Sequence, residues 1–225
     1  MTGSSFNILT VCTMNICRSP AMELLLQKQI EQKCGADPLA TVSSAGTDAR
    51  PGMPGCELSL AYAGSAELGH ESRQLTADLL NGIDVVLTAD WSHAAKVVAL
   101  LPQVRSRCFP VKLAARLATY VVGSPALAIA QAKAAGDTID PEQAGPLAAV
   151  PALPADPTDR LRWLVSEMNE ARGIAPRPAD DNLPYGVDDI PDPHVLGYNL
   201  HEMSAAMISE SIQALTSAAD VVQSC

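Results

Sequence analysis

Two side chains near the N-terminus, Cys12 and Arg18, have the types and the spacing needed for chemistry on an oxyanion. Residues 6–11 form a short apolar run rich in β-branched and large side chains, which predicts a buried strand leading into Cys12. Ser19 is a favourable N-cap residue and Pro20 a favourable first helical residue. We therefore expect Cys12 at the end of a strand and Arg18 at the start of a helix.

A tight loop between a strand and a helix is suited to binding an oxyanion. Its backbone N–H groups converge on one point, and the helix N-terminus adds partial positive charge. The planar guanidinium of Arg18 is able to bind two phosphate oxygens at once. The same positive field would stabilise a thiolate on Cys12. Such a thiolate is a nucleophile toward a phosphorus or arsenic centre.

The residues around this pair make the pattern more specific. Residues 11–20 read Val-Cys-Thr-Met-Asn-Ile-Cys-Arg-Ser-Pro, and none of the other five cysteines has an arginine six positions later. This C-x5-R-S string resembles the low-molecular-weight protein tyrosine phosphatase family. The resemblance implies that Cys12 is the nucleophile, that Arg18 binds phosphate and that Ser19 hydrogen-bonds the sulfur, without a metal or a cofactor. It implies a phosphate-binding loop formed by Thr13, Met14, Asn15, Ile16, Cys17, Arg18 and Ser19.

Two further residues are assigned to the site through the resemblance. Ser44 stands at the end of a predicted second strand, and His70 lies in a string, residues 69–75, that is similar to the family's. In the family, a Ser and a His at these places orient the loop Asn, here Asn15, which holds the loop backbone in shape. Without the resemblance, His70 would be interpreted as an ordinary exposed histidine.

The reaction also needs an acid. An aryl or alkyl oxide is a poor leaving group unless an acid protonates it. After giving up its proton, the same acid is able to activate the water that hydrolyses phosphocysteine. Asp192, followed by the stiffening Pro193 and then by a long predicted helix, resembles the family's general acid. Asp188 and Asp189 are interpreted as part of a solvated, flexible loop.

Several alternatives compete with this interpretation. Cys12 and Cys17 have a spacing found in zinc sites, but a second cysteine pair is missing and the histidines are scattered along the sequence. They could also be inert buried thiols, which would leave Arg18 unexplained. Two other functions stay open: an arsenate reductase, for which Cys56 or Cys108 would have to be the resolving thiol, and a non-catalytic phosphate-binding module.

The order of predicted elements indicates the fold. Strands are predicted at residues 6–11, 39–44, 83–88 and 107–109, with helices at 20–33, 54–63 and 91–101, the last capped by Asp90. A final helix is expected from Asn199. This alternation predicts an α/β protein with an open four-stranded parallel sheet flanked by helices on both faces. Ligands bind outside the carboxyl ends of such strands, where Cys12 is expected.

Between the fourth strand and Asp192 the pattern loosens. Residues 118–187 are rich in alanine and proline, with helical stretches near 113–120, 125–135 and 158–172. We interpret them as an insertion, partly helical and partly mobile, in a single phosphatase-like domain over residues 1–225.

Composition restricts location and partners. The net charge of −10 disfavours nucleic acid and anionic membranes as partners, because binding to either depends on clustered Lys and Arg. No secretory signal is visible, and six cysteines without framework spacing favour a reducing compartment. We expect a cytoplasmic enzyme acting on a phosphorylated protein or a small phosphate monoester. The sequence leaves its oligomeric state open.

Overall fold

The structure, a computed structural model, describes residues 5–34, 39–64, 69–179, 185–196 and 200–224. Its centre is a parallel sheet in the order β2-β1-β3-β4. The strands are β1 Phe6–Cys12, β2 Ala40–Gly46, β3 Val85–Thr88 and β4 Cys108–Pro110. The helices are α1 Arg18–Cys34, α2 Glu57–Tyr62, α3 Trp91–Leu100, α4 Val111–Val122, α5 Pro125–Ala134, α6 Pro141–Ala144, α7 Pro157–Glu170, α8 Pro193–Leu196 and α9 Leu200–Gln223.

Helices cover both faces of the sheet, which confirms the predicted fold class. Side chains alternate along β1, so Phe6 and Ile8 belong to a large core cluster with α1, α4, α7 and α9. Leu9 and Val11 belong to a smaller cluster on the opposite face, where α3 packs through residues such as Val97. The near-continuous apolar β1 is what a parallel strand buried on both faces requires.

The strand register brings the carboxyl ends of β1, β2 and β3 to one edge of the sheet. Cys12 pairs with Gly46, and Val11 pairs with Thr88. Because β2 and β3 flank β1 on opposite sides, the strand order reverses at β1, and a crevice forms at this point in open α/β sheets. Cys12 lies at the mouth of that crevice.

The predicted strands and helices all form, and their ends lie within about three residues of the predicted positions. Asp90 caps α3 as expected, its carboxylate accepting from the His93 N–H at 3.0 Å. Ser19, in contrast, is not the N-cap of α1, since the helix already begins at Arg18. Its hydroxyl contacts loop side chains instead of a helix N–H. The predicted cap Asn199 lies outside the described residues.

The segment predicted as an insertion packs into the main core. It contains the end of α4, then α5, α6 and α7. Trp163, Leu164 and Met168 of α7 are buried in the same cluster as Phe6 of β1. Its assignment as an insertion, and its partial mobility, stay predictions.

Among the described helices, none is by itself long and apolar enough to cross a membrane. Helices α4 and α5 reach that length and composition only as a pair, with a bend of 58° between them.

Candidate active site

The loop from Cys12 to Ser19 joins β1 to α1 and is built around buried side chains. Cys12 is 3% exposed, and its Sγ lies 3.1 Å from the Ser19 Oγ. The start of the loop is fixed by the segment after β2, because the N–H of Thr47 donates to the Cys12 carbonyl and that of Asp48 to the Thr13 carbonyl, each at 2.9 Å. The nucleophile predicted from sequence therefore lies beside the hydroxyl predicted to assist it.

Asn15 shapes the middle of the loop. It is fully buried and has a left-handed backbone, with φ at +55°, a conformation that Asn tolerates better than most residues. Its side-chain Nδ2 donates to the hydroxyls of Ser19 and Ser44, at 3.0 and 2.8 Å. Its Oδ1 accepts from the backbone N–H of Arg73 at 2.9 Å. The amide thus connects the loop, α1, β2 and the segment around residue 73.

Both residues predicted to support the loop contact Asn15. Ser44 accepts from its side chain, whereas His70 approaches its backbone, with Nε2 2.6 Å from the Asn15 carbonyl oxygen. The sequence did not identify Arg73, whose backbone N–H, which every residue except proline carries, donates to Asn15. Its side-chain Nε also donates to the Ser44 carbonyl oxygen.

Gly46, at the end of β2, leaves no room for a side chain. A Cβ there would lie 2.5 Å from the Thr13 carbonyl oxygen and 2.8 Å from the Asn15 nitrogen. The close approach of β2 to the loop therefore depends on glycine at this position.

Arg18 is 4% exposed and donates to three acceptors. Its Nη1 donates to Asp90 Oδ2 at 3.2 Å and to the Ile190 carbonyl at 3.0 Å. Its Nη2 donates to Asp192 Oδ2 at 2.6 Å. The guanidinium is therefore held between a carboxylate at the end of β3 and one from the late part of the chain.

Asp90 is a site residue that sequence reasoning identified only as a helix cap. Burial acts against its ionised form, but contacts with His93 and Ser92 outweigh it and hold the pKa of Asp90 well below its usual range. His93 Nδ1 lies 2.8 Å from Asp90 Oδ1, while its Nε2 lies 2.8 Å from the Thr13 hydroxyl. Its place two residues after β3, next to the crevice, was the available signal.

Asp192 is held over the loop by a segment that docks on the sheet. The Ile190 N–H donates to the Ala89 carbonyl at 2.8 Å, just after β3, and the Ser204 hydroxyl of α9 donates to the Pro191 carbonyl at 2.8 Å. The Asp192 Oδ1 accepts from the His194 N–H at 3.0 Å. The carboxylate is thus aimed at Arg18 through its other oxygen and remains a quarter exposed.

The prediction of a solvated, flexible role for Asp188 and Asp189 is wrong. The Nη2 of Arg116 in α4 donates to both carboxylate oxygens of Asp188, at 3.0 and 3.1 Å, and the Asp188 side chain is 14% exposed. Asp189 accepts from the N–H of Trp91 at 3.0 Å and from that of Gly186 at 3.1 Å. Both carboxylates fasten the segment that carries Asp192.

The remaining loop residues differ in environment. Thr13, Met14 and Ile16 are half-buried, while Cys17 is buried with its Sγ 2.6 Å from the Ser59 hydroxyl. Burial raises the pKa of the Cys17 thiol to about 12, although the contact with Ser59 acts in the opposite direction. With this pKa the free Cys17 thiol is protonated near neutral pH and is not a second nucleophile.

In the sequence, the scattered histidines argue against a zinc site, but the fold brings two of them together. The side chains of Cys56, His194 and His201 come together at Cys17. They are brought there by α2, α8 and α9, whose meeting the sequence pattern does not reveal.

A family model described as low molecular weight phosphotyrosine protein phosphatase matches residues 7–121, just over half of the chain. The chain belongs to this family. Etp of Escherichia coli (strain K12) is 37% identical to this phosphatase over 112 residues, which cover 48% of the chain and 70% of Etp. The probable phosphatase AmsI of Erwinia amylovora is 33% identical over 104 residues, covering 45% of the chain and 67% of AmsI.

Solved structures share the fold of this phosphatase over nearly its whole length. The crystal structure of Erwinia amylovora AmsI has a TM-score of 0.56 at 19% identity, covering 97% of the chain and 96% of AmsI. Wzb of Vibrio vulnificus, solved with benzylphosphonate, has a TM-score of 0.54 at 20% identity, covering 95% and 99%. At these identities the likeness shows the fold alone. Asp192 lies outside the family match, so its assignment depends on geometry.

Proposed function

We propose that this phosphatase hydrolyses phosphate monoesters through a phosphocysteine on Cys12, with Asp192 as the general acid and base. Family membership makes the protein a hydrolase with the cysteine-based mechanism typical of the family. The observation that carries the finer proposal is the contact between Arg18 and Asp192. Residues 174 positions apart in the sequence meet at 2.6 Å beside the loop that begins at Cys12.

In the first step the Cys12 thiolate attacks phosphorus. An S–P bond forms, the bond from phosphorus to the leaving oxygen breaks, and the Asp192 carboxylic acid gives its proton to that oxygen. The loop N–H groups and Arg18 hold the other phosphate oxygens.

In the second step the Asp192 carboxylate takes a proton from water. The water oxygen attacks phosphorus, the S–P bond breaks, and inorganic phosphate leaves. The returning thiolate accepts a hydrogen bond from Ser19, whose hydroxyl lies 3.1 Å from the sulfur. Ser19 thereby assists the departure of Cys12 as a thiolate.

Protein phosphotyrosine is the proposed substrate class. Etp and Wzb of Escherichia coli are both named low molecular weight protein-tyrosine-phosphatases, at 37% and 34% identity. The fold alone does not decide the substrate, since YwlE of Geobacillus stearothermophilus, titled an arginine phosphatase, has a TM-score of 0.55 at 19% identity, covering 97% of the chain and 94% of YwlE.

The decisive experiment compares four substrates with the wild-type protein and with Cys12→Ser. These are an aryl phosphate, a phosphotyrosine peptide, a phosphoserine peptide and arsenate with a thiol reductant. We expect turnover of the first two, and none by Cys12→Ser, which should still bind phosphate. Mass spectrometry of acid-quenched wild-type protein should find the phosphoryl group on Cys12. Turnover of arsenate alone would favour the reductase, and phosphate binding without turnover would favour the binding module.

The structure gives the reductase no support through Cys108. This thiol is buried on the opposite face of the sheet, in the cluster with α3, whereas Cys12 belongs to the other cluster. Cys56, the other thiol considered as a resolving cysteine, lies against His201.

We also propose a cytoplasmic location, which the cysteine pattern of the sequence supports.

A further inference from the structure

Four potential metal ligands from four separate elements meet beside the phosphate loop. Cys17 precedes α1, Cys56 precedes α2, His194 is in α8 and His201 is in the first turn of α9. Their ligand atoms all lie within 4.8 Å of one another. The Cys56 Sγ is 3.5 Å from the His201 Nε2, and the two imidazole rings are 5.0 Å apart at an interplanar angle of 88°.

Two thiolates and two imidazoles are a donor set that zinc prefers. With Zn–S bonds of about 2.3 Å and Zn–N bonds of about 2.0 Å, a tetrahedral ion places its donor atoms about 3.3–3.8 Å apart. The contact between Cys56 and His201 already falls in this range. The other separations in the cluster, all within 4.8 Å, exceed it by at most about one ångström.

The surroundings also suit a metal site. Cys17 and His201 are buried, Cys56 is half-buried and His194 is exposed, so an ion has both a shielded position and a path of entry. The Ser59 hydroxyl, 2.6 Å from the Cys17 Sγ, is placed to donate to a ligating thiolate. The nucleophile is not part of the cluster, because the Cys12 Sγ lies against Ser19.

We propose that Cys17, Cys56, His194 and His201 form a zinc-binding site that joins the phosphate loop to the acid segment. Cys17 is the residue before Arg18, and His194 is two residues after Asp192. A metal held by both fixes the two halves of the catalytic site against each other, with α2 and α9 as further anchors. Each ligating thiol releases its proton to solvent, and no electron transfer is involved.

Metal binding by the full-length protein tests the proposal directly. The protein is stripped with a chelator under reducing conditions, then incubated with Zn²⁺ or Co²⁺ and desalted. We expect about one metal ion per chain by elemental analysis. The Co²⁺ form should show tetrahedral d–d bands and thiolate-to-cobalt charge transfer. His194→Ala and Cys56→Ala should each lose stoichiometric metal, and Cys56→Ala should weaken the charge-transfer band of any cobalt retained.

Two variants serve as controls for the cysteines. Cys108→Ala removes a buried thiol outside the cluster, and Cys12→Ser removes the nucleophile; both should bind metal as the wild type does. A metal content near zero in the wild type would overturn the proposal. So would metal retained in both Cys56→Ala and His194→Ala, or metal lost in Cys12→Ser, which would place the ion on the nucleophile.

A stability measurement separates a built site from loose surface binding. Because a ligand that binds only the folded state raises Tm by mass action, Zn²⁺ should raise the Tm of the wild type but not that of His194→Ala. His194 is exposed, so its removal should leave the fold intact. Equal shifts in both proteins would contradict the site. None of these measurements requires catalysis, so the metal site and the proposed reaction fail or stand separately.

Discussion

At the scale of single residues, Arg18 is the centre of the site because its guanidinium contacts two carboxylates from different parts of the chain. It donates to Asp90, which approaches from the end of β3, and to Asp192, which approaches from the other end of the chain. Asp90, with its pKa well below the usual range, is suited to be a permanent counter-ion. Asp192, a quarter exposed, is the carboxylate for which we propose proton exchange with substrate and water.

Asp192→Asn should lower kcat by about 10²–10⁴-fold, the range for loss of a general acid. The loss in kcat/KM should shrink as the leaving group becomes more acidic, because such groups need little protonation and kcat/KM reports the step in which they depart. Measuring kcat and kcat/KM over a series of aryl phosphates with graded leaving-group pKa checks this.

The matched control for this series is Asp189→Asn. Asp189 fastens the same segment but does not contact Arg18. Its replacement should scale kcat by one factor for all leaving groups. A larger leaving-group dependence in Asp189→Asn than in Asp192→Asn would contradict the assignment.

Cys108 makes the stability of the fold sensitive to alkali. Burial raises the pKa of this thiol from 9.0 to about 12, with nearby Arg172 acting in the opposite direction. The folded state therefore prefers the neutral thiol, and the stability this gives is complete below pH 9 and is lost as the pH rises toward 12.

Replacing Cys108 by alanine should reduce this loss of stability at high pH. Its titration contributes a slope of about 1.4 kcal/mol per pH unit in the free energy of unfolding. Urea denaturation at pH values of about 8 and about 10.5 should therefore show a smaller decrease for Cys108→Ala than for the wild type. Equal decreases in the two proteins would show that Cys108 titrates normally in the fold.

At the scale of elements, the phosphate loop depends on how closely β2 approaches it. Gly46→Ala places a methyl group 2.5 Å from the Thr13 carbonyl oxygen, 2.8 Å from the Asn15 nitrogen and 2.9 Å from the Ala49 Cβ, none of which is the end of a flexible side chain. We expect the loop to shift and kcat to fall for all substrates, by about 10²-fold for a displacement near 1 Å.

Gly173→Ala is the control for this substitution, because a Cβ at that position meets nothing within 4 Å. It should leave kcat unchanged. Steady-state kinetics with an aryl phosphate distinguishes the two variants, and wild-type kcat in Gly46→Ala would show that the loop tolerates the methyl group.

Local signals in the sequence were enough to predict the strand, the loop and the start of the first helix. Cys12 and Arg18 are six positions apart, so one short loop determines how their side chains are placed relative to each other. The cap role predicted for Ser19 failed because contacts with Cys12 and Asn15 use its hydroxyl. The position of Asp90 just after β3 was a signal for the site, because ligands bind outside the carboxyl ends of such strands. The cluster of Cys17, Cys56, His194 and His201 had no such signal, because it forms only when α2, α8 and α9 meet beside the loop.

At the scale of the whole molecule, α7 is expected to fold together with the sheet. Trp163 is 5% exposed and lies in the larger core cluster. Trp163→Ala should therefore cost about 3–5 kcal/mol of unfolding free energy, as for other buried aromatic residues.

Ile174→Ala is the control, because Ile174 is 68% exposed and its replacement should hardly change the free energy of unfolding. Urea denaturation followed by circular dichroism and by activity should give coincident transitions for both variants. If Trp163→Ala produced a separate early transition with activity retained, the predicted insertion, residues 118–187, would unfold independently of the sheet.

The contact between Asp192 and Arg18 also bears on how fast the enzyme clears its product. A carboxylate on the same chain competes for Arg18 at a high effective concentration, which a free anion in solution must exceed. In the proposed reaction, Asp192 is placed to take back the guanidinium after phosphocysteine has been hydrolysed and so to displace inorganic phosphate. Phosphate should accordingly be a weak competitive inhibitor of the wild type and a tighter one of Asp192→Asn, so that the proposed acid would also speed the release of product.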